Sequence, residues 1–167
     1  MGATMETKME NDPKYIVVHH SAAVSPDPQF AAIEKWHAAR GFPISSLGFH
    51  VGYHVVIEKD GELVRAREDL ERDTDALGHN FDSLSVCLVG NFDAYKPTPA
   101  QVATLATLLS EWCNKYALGP DDIFPHRHFN ATHCYGTKLA DNWAAYTFLR
   151  HEYDRLRGII GDFDLQP

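Results

Sequence analysis

The stretch from Thr98 to Gly119 constrains the chain most, because it reads as a helix marked at both ends. Thr98-Pro99-Ala100-Gln101 is a capping box with proline at the first helical position, so the amides that a helix start leaves unpaired find partners locally. Val102, Leu105, Leu109, Trp112 and Tyr116 follow at three- and four-residue steps as one apolar stripe, and Gly119 is expected to close the helix. Such a stripe must be buried against another layer. The run at 84–89, bounded by Gly90 and Asn91, has the composition of a central strand that could supply it.

The rest of the chain alternates in the same way. Residues 15–18 form a β-branched run that stops abruptly at His19, His20 and Ser21, placing polar groups at a strand end. Ser25 is a candidate N-cap with Pro26 behind it, and Phe30, Ile33 and Trp36 keep helical spacing up to Gly41. Residues 51–58 read as a strand, Asp60-Gly61 as a hairpin turn and 62–67 as the returning strand, with Val51, Tyr53, Val55 and Ile57 on one face. Trp143, Tyr146, Leu149, Tyr153 and Leu156 mark a third helix. The order indicates an α/β fold, a central mixed β-sheet flanked by about three helices. With 167 residues, the chain is expected to hold a single domain over 15–160, a disordered leader over 1–14 and a short tail over 161–167.

Charge and hydropathy narrow the partners. A formal net charge of -8, from 15 basic and 23 acidic side chains, opposes binding to a phosphate backbone, so no nucleic acid partner is expected. The longest apolar candidate, 100–118, is interrupted by Gln101, Glu111, Asn114 and Lys115, which argues against membrane insertion. The first fourteen residues lack the apolar core of a secretory signal. Gly2 is followed by Glu6 where myristoylation needs Ser or Thr. Synthesis in a cytoplasm is therefore expected. Three cysteines in no framework spacing fit a reducing compartment. Cys87 and Cys113 fall in apolar patterns and read as core, whereas Cys134 lies in a polar loop.

His19, His126 and Cys134 together offer two imidazoles and a thiolate, a donor set suited to zinc; three protein ligands leave a fourth position open for chemistry. His20 competes with His19, but neighbours on a strand point to opposite faces. His128 and His133 compete with His126 and otherwise read as solvated loop histidines.

Several motifs, in order, resemble the zinc-dependent N-acetylmuramoyl-L-alanine amidase family, which includes phage lysozyme-type amidases and peptidoglycan recognition proteins. They are Val18-His19-His20-Ser21-Ala22, Gly52-Tyr53-His54, Gly78-His79-Asn80 with Ser83 and the 86–90 strand, and the His126 to Cys134 spacing. The resemblance implies zinc held by His19, His126 and Cys134 at the floor of an open groove. It also implies Tyr53 and Thr132 as catalytic groups sharing the oxyanion charge, and His79 and Asn80 as substrate contacts. Thr132 stands where the phage enzymes usually carry lysine and active recognition proteins carry threonine, and Asp75 stands where the family often has histidine. Asn130-Ala131-Thr132 also matches a glycosylation acceptor, a chance match without a secretory route.

The activity so implied is hydrolysis of the amide between N-acetylmuramic acid and the L-alanine of the stem peptide. The expected context is a phage or prophage endolysin, a bacteriolytic and hence antimicrobial monomer that reaches the cell wall after release through the membrane. Two alternatives stand beside it. A non-catalytic peptidoglycan-binding module would be expected to lose the cysteine, and a cytosolic muropeptide-recycling amidase would resemble a pattern with aspartate as third ligand.

Overall fold

Aliphatic strands with both faces covered build the centre of the molecule. The computed structural model describes residues 11–23 and 27–163. Strand β1 (Tyr15–His20) pairs in parallel with β4 (Ser83–Leu88) on one side and β5 (Ile123–Pro125) on the other. Strand β2 (Val55–Ile57) pairs in parallel with β4 and antiparallel with β3 (Leu63–Arg65), giving the order β3-β2-β4-β1-β5. The fold is the mixed sheet expected, with α1 (Phe30–Ala39), α2 (Pro99–Tyr116) and α3 (Trp143–Phe163) around it.

One sheet face, with Ile16, Val18, Val55, Ile57, Leu84, Val86 and Leu88, packs on Leu105, Leu108, Leu109 and Trp112 of α2 and Ala144 of α3. Burying each such leucine contributes roughly 1.5–3 kcal/mol over leaving it in water. The opposite face, with Val56 and Cys87, meets Ile33 of α1 and Val51. The capping box forms as expected, and its Gln101 also donates through Nε2 to the carbonyls of Ile57 and Val89, tying α2 to two strand ends.

Several boundaries differ from expectation. Ser25 and Pro26 lie outside the described residues, and α1 begins only at Phe30. Its start is capped from the sheet: the buried Glu58 carboxylate accepts the amides of Gln29 and Phe30 at 2.7–3.0 Å, where the helix dipole favours negative charge. The Asp60-Gly61 hairpin forms, but β2 is short, and bends over residues 52–54 break the alternation. Val51 and Tyr53 therefore join the α1 side, while Val55 and Ile57 face α2. Helix α2 ends before Gly119, with Ala117 in the left-handed conformation at φ 55°.

Residues 11–14, expected in the leader, are described and bond to the fold. Asn11 is buried and donates to the carbonyls of Asp69 and Ser83, and the Asp12 and Lys14 amides bond to Phe81 and Asp82. At the other end, α3 continues past residue 160, and of its expected stripe Trp143 packs on the core while the rest does not. Tyr146, Leu149, Tyr153 and Leu156 are 48–62% exposed. The helix docks instead through Ala144 and Thr147, with Trp143 and Phe148 beside them and Glu152 accepting from Ser110 of α2.

Candidate metal centre

The site lies at the carboxyl ends of the parallel strands β1 and β5, the edge where α/β sheets commonly bind ligands. His19 is the fifth residue of β1, and His126 opens a short 3₁₀ turn (His126–His128) directly after β5. Cys134 closes the following loop back onto β1: its sulfur accepts the His20 amide at 3.4 Å, and its carbonyl accepts the Arg127 amide at 2.8 Å. Arg127 holds this loop through its guanidinium, which donates to the carbonyls of Gly136 and Leu139 and to Asp141.

One ligand atom from each of His19, His126 and Cys134 lies within 4.8 Å of the others, a clustering found nowhere else among the described residues. A tetrahedral zinc with ordinary bond lengths separates a nitrogen and a sulfur ligand by about 3.6 Å, and Nδ1 of His19 lies 3.6 Å from Sγ of Cys134. The donors fit zinc. Burial alone would push the Cys134 thiol up, but the His19 charge and hydrogen bonds from His126, His19 and the His20 amide bring it down to about 6. Burial likewise opposes charge on His19, yet Cys134 and Asp75 raise it to about 10. Each group thus favours the charged form of the other, thiolate beside imidazolium, and a metal on Nδ1 would compete with the His19 proton.

His20 points to the other face, where its Nδ1 accepts the Phe92 amide. His128 stacks on Phe124 with ring centroids 4.2 Å apart, and both it and His133 are exposed. The structure therefore gathers the three expected ligands and leaves their rivals outside the cluster. The Tyr53 ring lies 4.9 Å from that of His19. Burial, followed by the nearby Cys87, Cys134 and Asp75, pushes its hydroxyl well above the usual range, so it stays protonated and able to donate. Thr132 Oγ1 accepts the Cys134 amide at 3.3 Å, which leaves its proton to donate. Beside Tyr53 a cavity of about 260 Å³ is lined by Ser21, Gln29, Ile33, Trp36 and His37.

His79 and Asn80 have other partners. His79 packs edge-on to Tyr15, at the opposite end of β1 from His19, and bonds Asp82. Asn80 Oδ1 accepts the amides of Asp75 and Ala76 and so shapes its own loop. The sequence reading missed His37, Arg127 and Asn130 as groups around the site, and took Asp75 only as a departure from the family.

Residues 9–137 match the family model described as N-acetylmuramoyl-L-alanine amidase. The chain is 32% identical over 120 residues to the endolysin of Escherichia phage T7, covering 68% of this chain and 76% of that protein. It is 27% identical over 151 residues to peptidoglycan-recognition protein SC2 of Drosophila melanogaster, covering 86% and 82%. The solved structure of N-acetylmuramoyl-L-alanine amidase LysC from Clostridium intestinale URNW superposes with a TM-score of 0.70 at 27% identity, covering 87% of each chain. A match over most of the chain, with the donor trio gathered at one sheet edge, places this protein in the N-acetylmuramoyl-L-alanine amidase family.

Proposed function

We propose that this chain is a zinc-dependent peptidoglycan hydrolase that cleaves the amide joining N-acetylmuramic acid to the L-alanine of the stem peptide, and that it serves a phage or prophage as an endolysin. The observation that carries this reading is the His19, His126 and Cys134 cluster beside Tyr53 in a chain of this family. When bound, zinc supplies a Lewis acid and an acidified water at the open fourth position. The protein's own groups do the rest. The Tyr53 hydroxyl and the Thr132 hydroxyl donate to the carbonyl oxygen as charge develops on it, the type of stabilisation that is strongest in a partly dry site. The cavity between Tyr53 and α1 holds the substrate next to them.

The thiolate lowers the charge of the centre and softens the acidification of water, so the two hydroxyl donors carry more of the oxyanion. The chain acts as a monomer, is made in the bacterial cytoplasm and meets the wall after release through the membrane; no described helix is long and apolar enough to cross one. Mass spectrometry of purified peptidoglycan after incubation, with and without a chelator, tests the reading. Chelator-sensitive release of stem peptides beginning at L-alanine is expected, and binding without release would overturn it.

A further inference from the structure

The rear nitrogen of His19 is held by loop 73–80, and that of His126 by Asn130, which the same loop fixes through Leu77. Asp75 Oδ2 lies 2.9 Å from Nε2 of His19, and both side chains are shut off from solvent. Asn130 Oδ1 lies 2.9 Å from Nε2 of His126. The same oxygen accepts the Leu77 amide at 3.1 Å, while the Asn130 amide group donates to the Leu77 carbonyl at 3.4 Å. Leu77 thereby fixes which end of the Asn130 amide is the acceptor. It follows that Nε2 of His126 carries the hydrogen and Nδ1 holds the lone pair. A carboxylate on Nε2 of His19 imposes the same tautomer, with Nδ1 turned toward Cys134.

The loop is itself anchored in the core. Asp73 Oδ2 accepts from Ser85 Oγ at 2.7 Å and lies 3.3 Å from Nδ1 of the buried His54, whose Nε2 bonds the Glu71 carbonyl. Asn80 pins the Asp75 and Ala76 amides from the other side. Asp75 thus has little room to move, and its side chain is hydrogen-bonded to that of Asp73.

We propose that Asp75 is a positioning residue for the metal centre: it holds His19 by Nε2 so that Nδ1 is presented to zinc, and with Asn130 behind His126 it makes loop 73–80 a brace for both histidine ligands. The inference rests on the zinc reading above. Partners of this kind fix the tautomer and orientation of a ligand and raise its basicity.

The test is zinc affinity of the full chain, measured by competition with a chromogenic chelator, for the parent, Asp75→Ala, Asp75→Asn and Asn130→Ala, each with the melting temperature of its metal-free form. Asp75→Ala should bind zinc roughly 10–100-fold more weakly, and Asn130→Ala should show a loss in the same range. Asp75→Asn keeps an acceptor oxygen without the charge and should fall between Asp75→Ala and the parent. The zinc-loaded parent should show a downfield, exchange-protected His19 Nε2–H proton resonance that Asp75→Ala abolishes, a signature that a merely structural role would not move. A folded Asp75→Ala with the parent's zinc affinity overturns the inference alone. If Asp75→Ala does not fold, Asp75→Asn with unchanged affinity and an unchanged resonance does the same. A parent that takes up no zinc overturns the zinc reading, and this inference with it.

Discussion

Nδ1 of His37 accepts the Gly52 amide at 3.0 Å, and its ring stands 5.4 Å from that of Tyr53. Phe42 stacks on the imidazole at 4.5 Å. Burial, followed by the charges of Arg40 and Arg67, holds this histidine down to about 4, so the ring is neutral and can only accept at the position facing Gly52. Because the folded value lies below the ordinary 6.5, the unfolded chain takes up its proton first as pH falls. Stability is then lost from about pH 6.5 down to about 4 and is untouched above that window. His37→Asn can accept the same amide and cannot titrate. It should match the parent's melting temperature near neutral pH and soften the acid-side decline; superimposable acid limbs would refute this account.

Cys134→Ser removes the thiolate that the His19 charge and three hydrogen bonds stabilise. Zinc content, read by atomic absorption, and lysis of peptidoglycan suspensions should fall together. The loss of activity should exceed the roughly 100-fold that groups behind a ligand command. Full activity in this variant would remove the site assignment.

Tyr53→Phe keeps the ring against His19 and deletes only the donor. Zinc affinity should stay at the parent's level, kcat should drop by roughly 10²–10³-fold and KM should change little, as for loss of one oxyanion donor. Steady-state kinetics on a defined muropeptide would separate this from a loss of metal.

Gly136 sits at φ 104°, and a Cβ there would lie 2.5 Å from the Phe92 carbonyl carbon. Its own carbonyl also accepts from Arg127. Gly136→Ala should therefore cost at least about 1–3 kcal/mol in backbone strain alone, and should weaken zinc binding by shifting the Cys134 loop. Urea denaturation and the same chelator competition check both effects.

The exposed stripe on α3 predicts a contrast. Leu156→Gln, at a position 50% exposed, should change stability by no more than about 0.5 kcal/mol. Leu109→Ala, at a position 0% exposed in α2, should cost about 2–5 kcal/mol. Equal losses would mean that the α3 stripe is buried in solution.

What could be read from the sequence follows from how local each determinant is. The Thr98 capping box and the Asp60-Gly61 hairpin need only neighbouring residues, and both form as read. The clustered His19, His126 and Cys134 were legible because each sits in a short motif at a strand end or loop. The docking face of α3 was not, since periodicity reveals a stripe without saying that Ala144 and Thr147, smaller and less conspicuous, let the helix approach α2. Tyr53 was placed on the wrong face because alternation assumes an unbroken strand, and the His54 amide leaves the regular register to bond Ser85. Asp75 meets His19 across 56 positions, a contact that only the folded loop creates, and Asn130 was visible merely as part of a chance acceptor motif.

His19 and Cys134 are separated by 115 positions, so the donor set joins an early strand to a late loop. During synthesis the chain exposes its first donor while the last is still untranslated, and no product that stops short of Cys134 holds all three. The donor set is therefore completed by one residue, Cys134. A chain terminated before Cys134 would lack the third donor however much of its sheet had formed.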